Sequence, residues 1–227
     1  MAGQFPIAEE NTLRGKLLYC FLRIFFAPLI RLIWIKEVKG RENLPKSGAY
    51  IIAANHQSYL DFLCIQAVMP ARLTFLAAER FFDSRLCGPI LKRLGHIRVD
   101  RSAKDKSETI EEVITALNIG RTVAIFPQGG LSRNGKIEKT RTGVARFALM
   151  TGAKVVPVGI RGTYEVFPPG AKRPKLKKMV EINIGAPMNL SEYRGRQDNP
   201  AAYREATDEV MDKIAGLAGL ERAPKLF

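Results

Sequence analysis

The chain has 227 residues, of which 46% are hydrophobic and 26% are charged. This composition is typical of a folded globular protein and excludes an intrinsically disordered one. The length indicates a single domain with a substantial core. Its 36 Lys and Arg against 22 Asp and Glu give a net charge of +14. That excess predicts an anionic partner, but no nucleic-acid-binding motif is present, so we expect no nucleic acid among its partners.

The three cysteines, Cys20, Cys64 and Cys87, are scattered through apolar sequence and form no CxxC motif. No cluster of His and Cys occurs in the sequence either. We therefore expect neither a disulfide framework nor a metal site, and the cysteine usage indicates a reducing compartment.

The first long apolar stretch covers residues 17–35 and contains only two charged residues, Arg23 and Arg31. On a helix these two and Lys16 fall within an arc of about 80°. A basic stripe on an apolar helix is typical of a segment lying in a bilayer interface. Pro28 predicts a division into two helices, because proline suits a first helical turn. A membrane-spanning helix or a helix packed on the domain are the alternatives.

From residue 38 onward, strand-like and helix-like segments alternate, which predicts an α/β fold with a single mixed, largely parallel sheet flanked by helices. Residues 39–45 are expected to form a loop. The predicted strands cover residues 49–54, 73–76, 97–99, 122–126, 155–161 and 176–185. The predicted helices cover residues 58–69, 82–94, 104–119 and 140–151, with a last one opened by Asn199-Pro200.

The chain contains only two histidines, His56 and His96. His56 follows an apolar strand, and Asp61 lies five residues further on. On a regular helix these positions are about 140° apart, so the side chains meet only if His56 lies in the loop before the helix. Ser58 as N-cap would supply that geometry. A simple capping box with His56 as a loop residue is the alternative.

A functional pair would work differently: Asp61 would fix the tautomer of His56, whose other nitrogen would take a proton from a substrate hydroxyl. No serine or cysteine lies in a recognisable nucleophile elbow. A base without an enzyme nucleophile fits direct acyl transfer to an alcohol better than hydrolysis. His96 has no carboxylate placed to orient it, so we expect it to be a structural or surface residue.

Four short blocks follow one another along the chain. They are Asn55-His56-x4-Asp61, Gly95-His96-Ile97-Arg98-Val99-Asp100-Arg101, Phe126-Pro127-Gln128-Gly129 and Val156-Pro157-Val158-Gly159. In this order the blocks resemble the glycerolipid acyltransferases, and among them the 1-acyl-glycerol-3-phosphate (lysophosphatidic acid) acyltransferases. The resemblance covers roughly residues 40–187.

The resemblance implies that His56 is the general base and Asp61 its partner. It implies an acyl thioester donor, acyl-CoA or acyl carrier protein, a lysophospholipid acceptor, and phosphatidate as product, with no further cofactor. Arg101 and the third block, with Gln128 and Gly129, are implied to bind the phosphorylated acceptor. Residues 1–37 would then be a membrane-associating helical segment and residues 38–227 the acyltransferase domain, attached to a phospholipid surface at the cytoplasmic face.

The third block departs from the family pattern at two positions. Gln128 stands where the family typically has Glu, and Leu131 stands where it often has Arg. Arg133, two residues on, is a candidate to replace that arginine as a substrate-binding residue. These differences leave two alternatives open: an acyltransferase for a different lysolipid acceptor, or a non-catalytic lipid-binding protein of the same fold.

Overall fold

The computed structural model of the chain describes residues 12–103, 105–137, 140–196 and 199–222. Its strands are β1 (Ile35–Lys39), β2 (Tyr50–Ala54), β3 (Leu73–Ala78), β4 (Ile97–Val99), β5 (Thr122–Ile125), β6 (Lys154–Arg161) and β7 (Val180–Ile184). Its α-helices are α1 (Leu13–Phe21), α2 (Ala27–Ile33), α3 (Leu60–Val68), α4 (Glu79–Phe82), α5 (Cys87–Arg93), α6 (Ser107–Asn118), α7 (Gly143–Thr151), α8 (Thr163–Val166) and α9 (Pro200–Ala218). A π-helical turn (Leu22–Phe26) joins α1 to α2, and two 3₁₀ turns cover Arg41–Asn43 and Ser191–Tyr193.

The seven strands form one sheet in the order β1-β7-β6-β2-β5-β3-β4. Five of the neighbouring pairs are parallel, and only β6 and β7 run antiparallel. The predicted fold class, a mixed and largely parallel sheet flanked by helices, is therefore confirmed.

The central strand β2 is buried along its whole length, with helices on both faces of the sheet. Because side chains alternate along a strand, Ile52 packs with α2 and α3 on one face, while Ile51 packs with α6, α7 and α9 on the other. Parallel strands covered on both sides read as continuous apolar runs, which is how β2 and β6 read in the sequence.

The apolar N-terminal stretch forms α1, the π-helical turn and α2, and it packs against α3. Pro28 lies in the first turn of α2, and the π-helical turn directly before it keeps the helix continuous although proline donates no backbone hydrogen bond. Arg23 Nη1 donates to Met69 O at 2.9 Å, and Arg31 Nε donates to Ala67 O at 2.7 Å. These carbonyls lie at the C-terminal end of α3, where cations are stabilised.

Two of the three residues of the predicted basic stripe therefore contact the domain, and the opposite face of the segment is apolar and exposed. A helical wheel finds the stripe but not the side that faces the protein. Within the described residues, no helix is both long and apolar enough to cross a bilayer. Membrane association itself remains a prediction. The exposed apolar side chains are Leu13, Leu17, Phe21, Ile24, Phe25, Phe26, Leu29 and Leu32.

Three segments differ from the sequence prediction. Strand β1 extends into the predicted loop and pairs with β7 across residues 35–39, so the sheet begins before the expected domain division at residue 38. The division into 1–37 and 38–227 remains a prediction. In place of the predicted helix 82–94 the chain has α4, which ends at Phe82, and α5, which begins at Cys87; Pro89 lies in the first turn of α5, where a missing backbone N–H is tolerated. Strand β7 begins at Val180 and not at residue 176; Met179 N–H and Val180 N–H both donate to Trp34 O.

Candidate active site

The candidate site lies where β2, β5, β3 and β4 end, at one edge of the sheet. Parallel strands end on the same side, and ligand sites in open α/β sheets lie outside those carboxyl ends. His56 lies two residues beyond β2, Phe126 directly follows β5, and Arg101 lies two residues beyond β4. The topology thus gathers the first three sequence blocks at one edge.

The side chains of His56 and Asp61 are hydrogen-bonded, with His56 Nδ1 and Asp61 Oδ2 2.9 Å apart. The same Asp61 oxygen accepts the backbone N–H groups of Gln57 at 2.7 Å and Ser58 at 2.9 Å. Asp61 is fully buried, whereas the His56 side chain is 15% exposed. The carboxylate is thereby fixed in place and occupies Nδ1, so Nε2 is the nitrogen left to exchange a proton.

The turn that carries this pair differs slightly from the prediction. Helix α3 begins at Leu60 with Tyr59 in the N-cap position, so Ser58 as N-cap was wrong by one residue. Ser58 Oγ accepts from Leu60 N at 3.1 Å and donates to Phe167 O at 2.7 Å. The capping contacts and the His56–Asp61 pair coexist, because Asp61 serves both the helix start and the imidazole.

Two further contacts hold the backbone of His56. Its N–H donates to Gln128 Oε1 at 2.7 Å, and its carbonyl accepts from Ser132 N at 2.8 Å. The imidazole stacks on Phe126, with ring centroids 4.0 Å apart and planes 12° apart. Gln128, proposed from the resemblance as a substrate-binding residue, thus contacts the turn that carries His56. An amide oxygen can accept this N–H, as a carboxylate oxygen can.

Asn55 is a site residue whose role the sequence did not reveal. Its side chain is fully buried, donates to Ile160 O at 2.8 Å and accepts from Ile160 N at 2.7 Å. The amide therefore continues the pairing of β2 with β6 for one residue after β2 has ended. The sequence signal was the position of Asn55 directly before the histidine, but the partner lies 105 residues away.

A cavity of about 480 Å³ opens beside His56, a volume within the usual range for small-molecule sites. Its lining carries five cationic side chains and no acidic one. Such a cavity suits an anionic ligand. The cationic residues are Arg101, Lys106, Arg141, Arg146 and Arg204.

The predicted substrate-binding residues fall in different places. Arg101 and Gly129 line the cavity with His56, whereas Gln128 and Arg133 are not among its lining residues. The backbone carbonyl of Arg133 accepts from Tyr164 Oη at 2.9 Å. Burial lowers the pKa of Arg101, and the nearby guanidinium groups add to the shift. The binding roles of these residues remain predictions.

His96 is enclosed in the protein. Its Nδ1 accepts from Phe75 N–H at 3.2 Å, and Nε2 has no partner among the described residues. Burial, followed by the charge of Arg72, lowers the pKa of His96 to about 3. A neutral, buried imidazole that completes backbone hydrogen bonding is a structural residue.

The fold and the site together define an α/β transferase with a histidine–carboxylate pair beside a cationic cavity. A model of the family described as Acyltransferase matches residues 36–161. The chain belongs to this acyltransferase family and is an enzyme of that type, which confirms the family recognised in the sequence.

Individual relatives agree with this assignment. The chain is 27% identical to 1-acyl-sn-glycerol-3-phosphate acyltransferase of Bacillus subtilis, over 78% of this chain and 87% of that protein. It is 31% identical to an uncharacterized protein of Mycobacterium leprae, over 94% of this chain and 67% of that protein. The crystal structure of the 1-acyl-sn-glycerophosphate acyltransferase PlsC from Thermotoga maritima has the same fold, with a TM-score of 0.73 at 24% identity over 97% of this chain and 89% of that one.

Proposed function

We propose that the protein transfers a fatty acyl group from an acyl thioester to the free hydroxyl of 1-acyl-glycerol 3-phosphate, which gives phosphatidate for phospholipid biosynthesis. The observation that carries this proposal is the His56–Asp61 pair beside a cavity whose lining carries five cationic side chains and no acidic one. The name of the relative from Bacillus subtilis, a 1-acyl-sn-glycerol-3-phosphate acyltransferase, supports the same acceptor.

The reaction follows from the geometry of the pair. His56 Nε2 takes the proton of the acceptor hydroxyl while that oxygen attacks the thioester carbonyl. The C–S bond then breaks, and the departing thiolate takes the proton back from His56. Asp61 holds the imidazole in the required tautomer and stabilises its cationic form. The acyl group passes directly to the acceptor, so no covalent acyl-enzyme forms.

The charge of the cavity favours both substrates. The acceptor carries a phosphomonoester, and either donor, acyl-CoA or acyl carrier protein, carries phosphate at the opposite end of the pantetheine arm from its thioester. Lys106, Arg146 and Arg204 add positive charge on the helical side of the cavity. Arg204 is held by Thr140, whose carbonyl and hydroxyl accept at 3.1 and 3.0 Å. Arg146 lies over the ring of Tyr203 at 5.6 Å.

An acyl-transfer assay with both donors and a panel of lysolipids tests this function. We expect transfer to 1-acyl-glycerol 3-phosphate to be the fastest reaction in the panel. Faster transfer to a lysolipid with another headgroup would replace the proposed acceptor. Absence of transfer from both donors to every lysolipid, with binding retained, would instead identify a non-catalytic lipid-binding protein.

We further propose that the protein is attached to the cytoplasmic face of a phospholipid membrane through the outward face of α1 and α2. Leu17 is 59% exposed, Phe25 is 62% exposed and Leu32 is 69% exposed. This concentration of exposed apolar side chains is what an interfacial segment presents to a bilayer. Arg23 and Arg31 anchor the same segment to α3, so burial of its outer face in lipid would bring the whole domain to the surface.

Substitution of Leu17, Phe25 and Leu32 together by Gln tests this attachment without cutting β1 from the sheet. We expect that the triple variant no longer sediments with anionic liposomes. A double substitution of Ile119 and Met150 by Gln is the matched control, since both are 54% exposed but belong to the opposite helical layer. Unchanged liposome binding by the triple variant would contradict the proposed attachment.

A further inference from the structure

The turn at Gly129 and Gly130 lies between two arginine side chains. The Arg141 side chain covers Gly129 so closely that a Cβ added there would lie 2.5 Å from Arg141 Nε and 2.7 Å from Arg141 Cδ. A Cβ on Gly130 would lie 3.7 Å from Arg101 Nη1. The missing side chain at Gly129 therefore makes room for Arg141, while Gly130 places Arg101 within van der Waals distance of the same turn.

The position of Arg141 is fixed by its backbone as well as by this contact. Arg141 N–H donates to Pro127 O at 2.7 Å, which ties the segment before α7 to the turn that contains Gly129. Arg141 also lines the cavity together with Arg101 and His56. Although Arg141 lies 85 positions after His56 in sequence, the fold brings both residues to the same cavity.

The arginines at this turn bring positive charges close together. Neither Arg101 nor Arg141 makes a salt bridge with any residue that the structure describes. After burial, the charges of Arg80 and then Arg141 lower the pKa of Arg101, so the guanidinium groups repel one another. An anion bound between them would relieve this repulsion.

Leu131 and Arg133, the two positions near the turn that comparison with the family pattern indicates, are less suited to bind a phosphate. Leu131 carries no charge, and Arg133 lies outside the cavity lining with its backbone carbonyl bonded to Tyr164. Among the residues that follow the third block, Arg141 is the one whose guanidinium group lies against the turn and whose side chain reaches the cavity of His56.

We infer that Arg141, together with Arg101, binds the phosphate of the acceptor and so determines the preference for a phosphorylated lysolipid. This inference rests on the proposed function and identifies the residue that recognises the headgroup of the acceptor. Guanidinium groups bind phosphate through paired charge-assisted hydrogen bonds. Because the same cavity contains His56, a phosphate held there places the acceptor hydroxyl within reach of the base.

Steady-state kinetics with two acceptors test the inference. Arg141→Gln should raise the KM for 1-acyl-glycerol 3-phosphate by about 10- to 100-fold, the usual range for a lost hydrogen bond to a charged group. We expect kcat to stay within about threefold, because binding rather than proton transfer is affected. The KM for uncharged 1-acyl-glycerol should not change. Arg141→Lys should fall between wild type and Arg141→Gln, because it keeps the charge but loses the planar fork.

Arg196→Gln is the control, since Arg196 is an exposed arginine paired with Glu205 and is not among the cavity-lining residues. An unchanged KM for the phosphorylated acceptor in Arg141→Gln would overturn the inference. The inference would also be overturned if Arg141→Gln raised the KM equally for both acceptors, or if Arg133→Gln raised the KM for the phosphorylated acceptor instead.

Calorimetric titration with glycerol 3-phosphate separates this inference from the proposed function. We expect wild-type protein and Arg196→Gln to bind it and Arg141→Gln to bind at least about tenfold more weakly. If wild type binds in this way but does not acylate 1-acyl-glycerol 3-phosphate, the proposed function fails while the phosphate site stands. If wild type does not bind, or Arg141→Gln binds equally well, the phosphate site fails.

Discussion

The surroundings of the two histidines differ in access and in partner. His56 has a buried carboxylate on Nδ1, an aromatic ring against its face and a cationic cavity in front of it. His96 is only 2% exposed, accepts one backbone N–H from Phe75 and has no carboxylate partner among the described residues. The same imidazole is therefore poised for proton exchange in one place and kept neutral in the other.

This difference shows which features make a histidine reactive in this protein. Both residues belong to sequence blocks of the family pattern, but His56 follows the carboxyl end of β2 with Asp61 five residues on, whereas His96 precedes the amino end of β4. What separates them is a fixed proton acceptor on one nitrogen and an open path to the other. The following substitutions remove one of these features at a time.

Asp61→Asn should have the largest effect of these substitutions, a fall in kcat of about 10²- to 10⁴-fold. An amide offers Nδ1 a weaker acceptor and allows the wrong imidazole tautomer. One amide oxygen remains available to the N–H groups of Gln57 and Ser58, so circular dichroism should show a folded protein. A kcat within tenfold of wild type would mean that His56 does not depend on this carboxylate.

Gln128→Leu should lower kcat by about 10- to 100-fold, because the backbone N–H of His56 loses its acceptor and the imidazole shifts from its productive position. Gln128→Glu should keep most of the activity, since its carboxylate accepts the same hydrogen bond. The division between kcat and KM decides the role of Gln128. A rise in acceptor KM alone, with kcat unchanged, would show that Gln128 contacts the acceptor rather than positions His56.

His96→Leu should leave kcat within about threefold of wild type but lower the free energy of unfolding by about 1–3 kcal/mol. The stability loss arises because Phe75 N–H is left buried without an acceptor. Urea denaturation measures the stability, and the acyl-transfer assay measures the rate. A loss of activity as large as that of Asp61→Asn, in a folded variant, would give His96 a chemical role.

The stability of the protein should also depend on pH through His96. Its folded-state pKa is lowered from 6.5 to about 3, so below pH 6.5 the unfolded chain binds a proton that the folded protein does not. The free energy of unfolding therefore falls as pH decreases, by about 1 kcal/mol between pH 7 and 5.5 from this residue. His96→Leu should remove that part of the pH dependence. An identical slope in wild type and variant would contradict the assignment.

Much of the fold was predictable because buried strands and helices leave local patterns. The edge strand β1 was missed because Lys36, Glu37 and Lys39 are exposed on it and leave no apolar run, and Lys39 was placed in the predicted loop. The sequence also did not reveal which face of the N-terminal segment contacts the rest of the protein. Periodicity groups Lys16, Arg23 and Arg31 on one arc, but only the C-terminal carbonyls of α3 explain why the latter two face the protein.

The site was predictable where its contacts are local. His56 and Asp61 are five residues apart, and their spacing alone demanded a turn between them. Gln128 contacts His56 across 72 residues, and Arg141 reaches the cavity only because α7 begins beside the turn after β5. Such contacts depend on the order of strands in the sheet, which one sequence does not reveal.

The rate of phosphatidate formation by His56→Ala, compared with wild type and His96→Leu in one assay, tests the central claim most directly. We expect His56→Ala to show no transfer above the uncatalysed background while it remains folded, and His96→Leu to stay close to wild type. Retained transfer by a folded His56→Ala protein would contradict the assignment of His56 as the base.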